Sequence, residues 1–207
     1  MSQERVTPYP PSPTFVAWPK IYRLYRPVII TEKVDGSNAA IHVPEDDSQP
    51  LYAQSRKRII TPQKGDDNFG FAAFVQENSD EIRVKLGPGL HFGEWYGLGI
   101  QRGYGLDEKR FALFNVKRWK DEPLPEQVCT VPVLYEGAFS DDVVRQCLTE
   151  LRTGGSLAGI DVFDPAEGVV VYFTQANTSF KVTLENDEMS KGEADAAAAR
   201  LEELPIR

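Results

Sequence analysis

Thr31-Glu32-Lys33-Val34-Asp35-Gly36-Ser37-Asn38 joins two β-rich runs, residues 28–34 and 39–43. Asp-Gly between such runs is a hairpin-turn signal, so the stretch reads as two strands joined by that turn. Lys33 closes the first strand two residues before Asp35, which leaves its amine free at the rim of a sheet. If the backbone stays extended, Lys33 and Asp35 point to one side. A turn alone explains Asp-Gly, so the weight of this segment depends on what surrounds it.

Outward from it, strands are expected at 51–55, 91–95, 111–119, 128–135, 168–173 and 179–184. Ser140 followed by Asp141 and Asp142 is an N-cap with acids in the first turn. Behind it Val143, Val144, Cys147, Leu148 and Leu151 recur at helical spacing, making Cys147 a core residue. Asp67 or Asn68 is placed to cap a helix carrying Phe71, Phe74, Val75, Ile82 and Leu86. Residues 193–204 read as a terminal helix, rich in alanine and charge. The prolines of 8–13 keep an N-terminal arm extended. The expected organisation is an arm over 1–19, one α+β domain dominated by antiparallel strands over 20–184, and an acidic tail over 185–207.

Composition bounds the chemistry. The chain has 207 residues and a net charge of −8, with 41% hydrophobic and 26% charged residues, as in an ordinary globular protein. Eleven Phe, eight Tyr and three Trp require a core. Two His and two Cys build neither a zinc cluster at the usual spacings nor a disulfide framework, so reduced cysteines and a cytoplasmic location are expected. No signal peptide opens the chain and no apolar run is long enough to span a bilayer, so no membrane partner is expected. The acid is unevenly spread: after residue 183, seven acidic residues face three basic ones. Arg56, Lys57, Arg58 and Lys64 form a window without an acid. Residues 102–120 hold six bases against Asp107 and Glu108, and residues 20–33 hold four against Glu32. Taken singly, such runs are solvated faces. With no histidine cluster and no promising cysteine, the candidate chemistry rests on lysine and carboxylates.

Lys33-Val-Asp-Gly-Ser-Asn38 resembles the first motif of the covalent nucleotidyltransferases, the superfamily of ATP-dependent DNA ligases, RNA ligases and mRNA capping enzymes. Ser55-Arg56-Lys57-Arg58 is similar to the next motif and Phe92-Gly93-Glu94-Trp95-Tyr96-Gly97 to the third. Phe111-Ala-Leu-Phe114-Asn-Val resembles the aromatic motif, Glu167-Gly168-Val169-Val170-Val171 the fourth, and Phe180-Lys181-Val182 the fifth. Six matches in order cover most of the chain. Thr61-Pro62 and Asp67-Asn68-Phe69-Gly70-Phe71 point to the RNA ligase branch, especially the RNA-ligase-2 type.

The resemblance implies a nucleotidyltransferase core of the ATP-grasp-like ligase kind, with mainly antiparallel sheets and flanking helices. It implies a catalytic Lys33 that takes AMP from ATP as a covalent lysyl-AMP, and a catalytic Lys181 beside the α-phosphate. Lys181 would favour the uncharged amine of Lys33 and stabilise the five-coordinate phosphorus. Glu32, Lys33, Asn38, Arg56, Glu94, Phe114 and Lys181 become nucleotide-binding residues, with Glu94 on the ribose, Phe114 on adenine and Arg56 on ribose or an incoming 5′-phosphate. Glu167 would help hold Mg2+ or Mn2+. The implied partner is RNA with 5′-phosphate and 3′-hydroxyl ends.

Two departures stand out. Thr183 occupies a position where a second lysine often follows the fifth motif. The acidic stretch after Lys181 is too short for the OB or helical domain of larger relatives, so the expectation is a minimal RNA ligase core, with a protein partner able to supply RNA-binding surface. The alternatives are a degenerate ligase-fold module that binds RNA or protein without catalysis, and an adenylyltransferase that does not join ends.

Overall fold

The two strands flanking Asp35-Gly36 do not pair with each other. In the computed structural model of the chain, which describes residues 15–160, 165–185 and 187, β1 (Pro27–Glu32) and β2 (Ser37–Val43) belong to different sheets. The expected hairpin is a crossover. Its backbone donors are satisfied from three other segments: Glu32 N bonds Pro132 O, Lys33 N bonds Gly168 O, and Asp35 N donates to the Tyr104 hydroxyl at 2.6 Å. Gly36 serves a close approach here and not a left-handed turn. A Cβ on it would lie 2.5 Å from Trp95 O and 2.9 Å from Tyr96 Cβ. Gly36→Ala is therefore expected to cost about 1–3 kcal/mol of stability. Gly154→Ala, where a Cβ meets nothing within 4 Å, should leave the melting temperature level or raise it. Thermal denaturation of the pair checks this.

The remaining elements are β3 (Tyr52–Ser55), β4 (Ile59–Ile60), α1 (Phe71–Glu77), α2 (Ser79–Leu86), β5 (Gly89–Gly97), β6 (Lys109–Leu113), α3 (Val116–Trp119), β7 (Val128–Thr130), β8 (Val133–Ala138), α4 (Asp141–Gly154), β9 (Gly168–Phe173) and β10 (Thr178–Thr183). One sheet runs β10-β9-β1-β8 and the other β4-β3-β2-β5-β6-β7. All pairings are antiparallel except β6 with β7.

Alternation along the strands assigns the layers. Val28 and Ile30 of β1, with Val169 and Val171, pack under Val144, Cys147 and Leu151 of α4. Ser140 caps that helix, accepting from Val143 N at 3.3 Å. In the second sheet Ala39, Ile41, Trp95 and Phe111 pack against Phe71, Phe74 and Ile82 of α1 and α2. The intervening residues, among them Ile29, Tyr96, Tyr104 and Ala112, join the two sheets. Each sheet thus carries helix on its outer face, and the inner faces meet over a third apolar cluster.

Three expected elements divide, each at a residue that competes for the backbone. Residues 128–135 split at Pro132, which has no N–H to offer a ladder: β7 stays with one sheet and β8 joins the other. Residues 111–119 end as strand at Leu113, and the Asn115 side chain, accepting from Arg118 N, opens α3 instead. The helix over 71–86 breaks at Asn78, whose amide bonds back to Phe74 O at 2.8 Å. Asp67 does accept at the start of α1, from Ala72 N at 2.8 Å and Ala73 N at 3.2 Å. The arm at 8–13 and the helix at 193–204 lie outside the described residues.

Candidate active site

The crossover delivers Lys33 to the gap between the sheets. A cavity of about 950 Å³ opens there, and Lys33, Asn38, Glu94, Phe114 and Lys181 all line it. Strand register explains the grouping. Asn38 and Glu94 are direct partners across β2 and β5, and the Asn38 amide donates to Glu94 at 3.4 Å. Phe92, two residues along β5, shares the face of Glu94 and accepts from Phe114 N at 3.0 Å, which holds both phenylalanines half-exposed over the cavity. In the other sheet Val170 has Thr31 on one side and Lys181 on the other.

Electrostatics concentrate at the mouth. Lys33 Nζ donates to Glu167 Oε2 at 2.5 Å, with about a quarter of each side chain exposed. The link is set by backbone, since Lys33 N bonds the carbonyl of Gly168 next door. Burial pushes the Glu94 carboxyl up to about 7, opposed by the nearby Lys33 ammonium and by hydrogen bonds from Asn38 and Gly36. A carboxyl that holds its proton better in the fold than in the unfolded chain makes stability fall as pH rises between about 4.5 and 7. Glu94→Gln cannot ionise and should lose that pH dependence. Melting curves at pH 5 and pH 8 are expected to lie closer together for the variant than for the unaltered chain.

Two supports lie behind the lysine. Asp35 pairs with Arg102 at 3.2 Å, and Arg102 also reaches Pro165 O at 3.4 Å. With Tyr104 on the Asp35 amide, this clamps the crossover to the 97–106 loop. The basic window at 102–120 held the signal, but nothing in it named Asp35. Glu32, one residue before Lys33, also lines the cavity and is 1% exposed. Its carboxylate accepts from Ser156 Oγ at 2.5 Å and Leu157 N at 2.8 Å. Burial raises its pKa and those hydrogen bonds oppose the rise.

The RNA ligase family matches this chain over residues 26–183. The chain belongs to that family. Among solved structures, this RNA ligase family member is similar to a Naegleria gruberi RNA ligase R4a lysine variant in the apo state. The two are 21% identical with a TM-score of 0.55, over 76% of this chain and 49% of that one. Another Naegleria gruberi RNA ligase variant, solved with ATP and Mn, is 20% identical with a TM-score of 0.56, over 79% of this chain and 52% of that one. A third, also with ATP and Mn, is 18% identical with a TM-score of 0.56, over 89% and 59%. The chain thus spans about half the length of the structures it resembles, and at these identities the likeness is one of fold. No curated protein matches the chain.

Within this RNA ligase family chain, Arg56 stands apart from the cavity. It is exposed in the bend after β3, one residue beyond the Ser55 that pairs with Ala39, so it lies at the rim near Asn38. Among the described residues no three His, Cys, Asp or Glu side chains cluster to hold a metal ion. Glu167 nonetheless fits a hard cation that takes one carboxylate and completes its shell with water and phosphate oxygens. Among the described residues no helix is long and apolar enough to cross a membrane.

Proposed function

We propose that the chain is an ATP-dependent RNA ligase acting through lysyl-AMP. The observation that carries this is the placement of the Lys33 amine against Glu167 at the mouth of a cavity that Asn38, Glu94, Phe114 and Lys181 also line. An amine attacks only without its proton, and Glu167, in hydrogen-bond contact with Nζ, is positioned to receive it. Lys33 Nζ then bonds the α-phosphorus of ATP, the bridging oxygen to the β-phosphorus departs, and pyrophosphate leaves. Lys181 faces the charge that grows on the phosphoryl oxygens. A bound Mg2+ or Mn2+ would be held by Glu167 and would neutralise phosphate charge.

An RNA 5′-phosphate oxygen next bonds the same phosphorus while the P–N bond breaks, which frees Lys33 and gives a 5′–5′ adenylate. The 3′-hydroxyl of the second end attacks the RNA phosphorus and AMP leaves. Phe114 supplies a stacking face for adenine and Glu94 an acceptor for ribose hydroxyls. Arg56, at the rim, suits the incoming 5′-phosphate better than the buried nucleotide. The carboxyl of Glu32 is engaged with Ser156 and Leu157, so its contribution to nucleotide binding is to hold the wall behind Lys33.

Incubation with ATP labelled at the α-phosphate and Mn2+, followed by a denaturing gel, should leave label on the protein. Label at the γ-phosphate should leave none. An unlabelled protein in the α-phosphate experiment overturns the reading. Assays on a single strand, a nicked duplex and a broken hairpin, each with a 5′-phosphate, then separate end joining from adenylyl transfer alone.

A further inference from the structure

The cavity accounts for one end of β1. The other end emerges into a segment that no contact in the core explains. Residues 15–26 read Phe-Val-Ala-Trp-Pro-Lys-Ile-Tyr-Arg-Leu-Tyr-Arg. Phe15, Trp18 and Ile21 are more than 80% exposed, and Tyr22 and Tyr25 are exposed as well. So much contiguous aromatic surface in water marks a binding surface. Its composition says for what. After Phe15, aromatic residues at 18, 22 and 25 alternate with cations at 20, 23 and 26, and no acid interrupts them. Among the described residues none of these three cations forms an ion pair. Lys20 instead lies over the ring of Tyr22, 5.1 Å from its centroid.

The segment is also anchored where it would be useful. Arg26 O accepts from Phe139 N at 3.1 Å, and Pro27 O accepts from the Thr174 hydroxyl at 3.0 Å. Tyr25 packs on Phe139 at 6.4 Å between centroids, Phe139 on Phe173 at 5.0 Å, and Phe173 on Phe180 at 5.7 Å. Phe180 and Thr174 line the cavity. The exposed segment therefore begins at the cavity's edge, one strand length from Lys33; six residues of β1 span about 20 Å.

We propose that residues 15–26 form a docking strand for single-stranded RNA, stacking bases on Trp18 and Tyr22, contacting phosphates with Lys20 and Arg23, and leading the strand toward the cavity. Rings supply faces for any base and cations follow the backbone, the combination that single-strand binders use. A protein-docking face would be depleted of lysine in its apolar centre, and here Lys20 stands between Trp18 and Ile21. The proposal rests on the RNA ligase reading for the choice of RNA.

Anisotropy of a dye-labelled twelve-nucleotide single-stranded RNA tests it with the full chain. Trp18→Ala/Tyr22→Ala and Lys20→Gln/Arg23→Gln should each weaken binding about tenfold or more at low salt. The slope of log affinity against log salt should fall by about 1.4 for the cation pair, at about 0.7 per contact, and stay level for the aromatic pair. Circular dichroism melts confirm that both variants remain folded. Equal affinity of the unaltered chain and both variants, or no RNA binding by the unaltered chain, overturns the proposal. So does a change of mass by light scattering in the aromatic variant with RNA affinity untouched, which would make the segment a contact between copies or with a protein. Labelling of the unaltered chain by α-labelled ATP is read separately: its absence removes the ligase reading and leaves the RNA-binding result to stand on its own.

Discussion

Lys33→Ala should abolish covalent labelling by ATP while leaving the sealing of already adenylated RNA in place. The two outcomes follow from where the amine is used. In the proposed reaction Lys33 Nζ makes and breaks the P–N bond, so without it ATP has no acceptor, and loss of a nucleophile from such a site costs about 10⁴-fold or more. The final displacement by a 3′-hydroxyl involves no bond to Lys33, so RNA supplied with a 5′–5′ adenylate bypasses the defect. Lys33→Arg should fail in the same way, because a guanidinium keeps its proton at any workable pH. Neither change should unfold the protein. The Lys33–Glu167 pair is partly exposed, and such pairs contribute about 0–1 kcal/mol. Label surviving on Lys33→Ala would move the nucleophile to another lysine. Loss of sealing on adenylated RNA would give Lys33 a second role in holding RNA.

What the sequence made legible was what short-range chemistry decides. β9 (Gly168–Phe173) is the bounded apolar run it was expected to be, and α4 starts at its Ser140 cap. The residues 33–36 misled because Asp-Gly carries a local turn signal, whereas the partners that settle their path come from Gly168, Pro132 and Tyr104. Pro132 acts alike in the second passage between the sheets. Period-two alternation shows that one face of a strand is buried but not which sheet buries it.

The same division runs through the site. The ordered motifs brought Lys33, Asn38, Glu94, Phe114 and Lys181 into one list, and all of them line one cavity. Arg56 was in the list and lies at the rim. Arg102, which clamps Asp35, was visible only as one charge in a basic window, since a pair 67 residues apart leaves no local trace. Glu32 is the sharpest case. The resemblance implies a nucleotide contact there, and Glu32 does line the cavity with Lys33, while at 1% exposure its carboxylate is taken up by Ser156 Oγ and Leu157 N.

That buried carboxyl yields the largest stability effect expected in this chain. Glu32→Ala strips the acceptor from Ser156 Oγ and from Leu157 N and leaves Leu157 N–H without its partner behind the sheet. Buried donors left unmade cost about 1–3 kcal/mol each, so a loss of about 3 kcal/mol is expected, seen as a fall of about 6–12 °C in melting temperature for a chain of this size. Glu32→Gln keeps one oxygen and should lose less. Its deficit should depend on pH with a definite sign. Burial raises the Glu32 pKa, so the unaltered chain is favoured most when that carboxyl is protonated and loses stability as pH climbs from about 4.5 through the folded-state value. Glu32→Gln has no proton to lose, so its deficit should be widest at acid pH and narrow as pH rises. Ser156→Ala separates anchoring from ligand contact. If Glu32 holds the 155–158 loop, Ser156→Ala reproduces part of the melting loss and lowers the labelling rate with little change in KM for ATP. A melting temperature untouched by Ser156→Ala, together with a raised KM in Glu32→Gln, would return the carboxyl to the nucleotide.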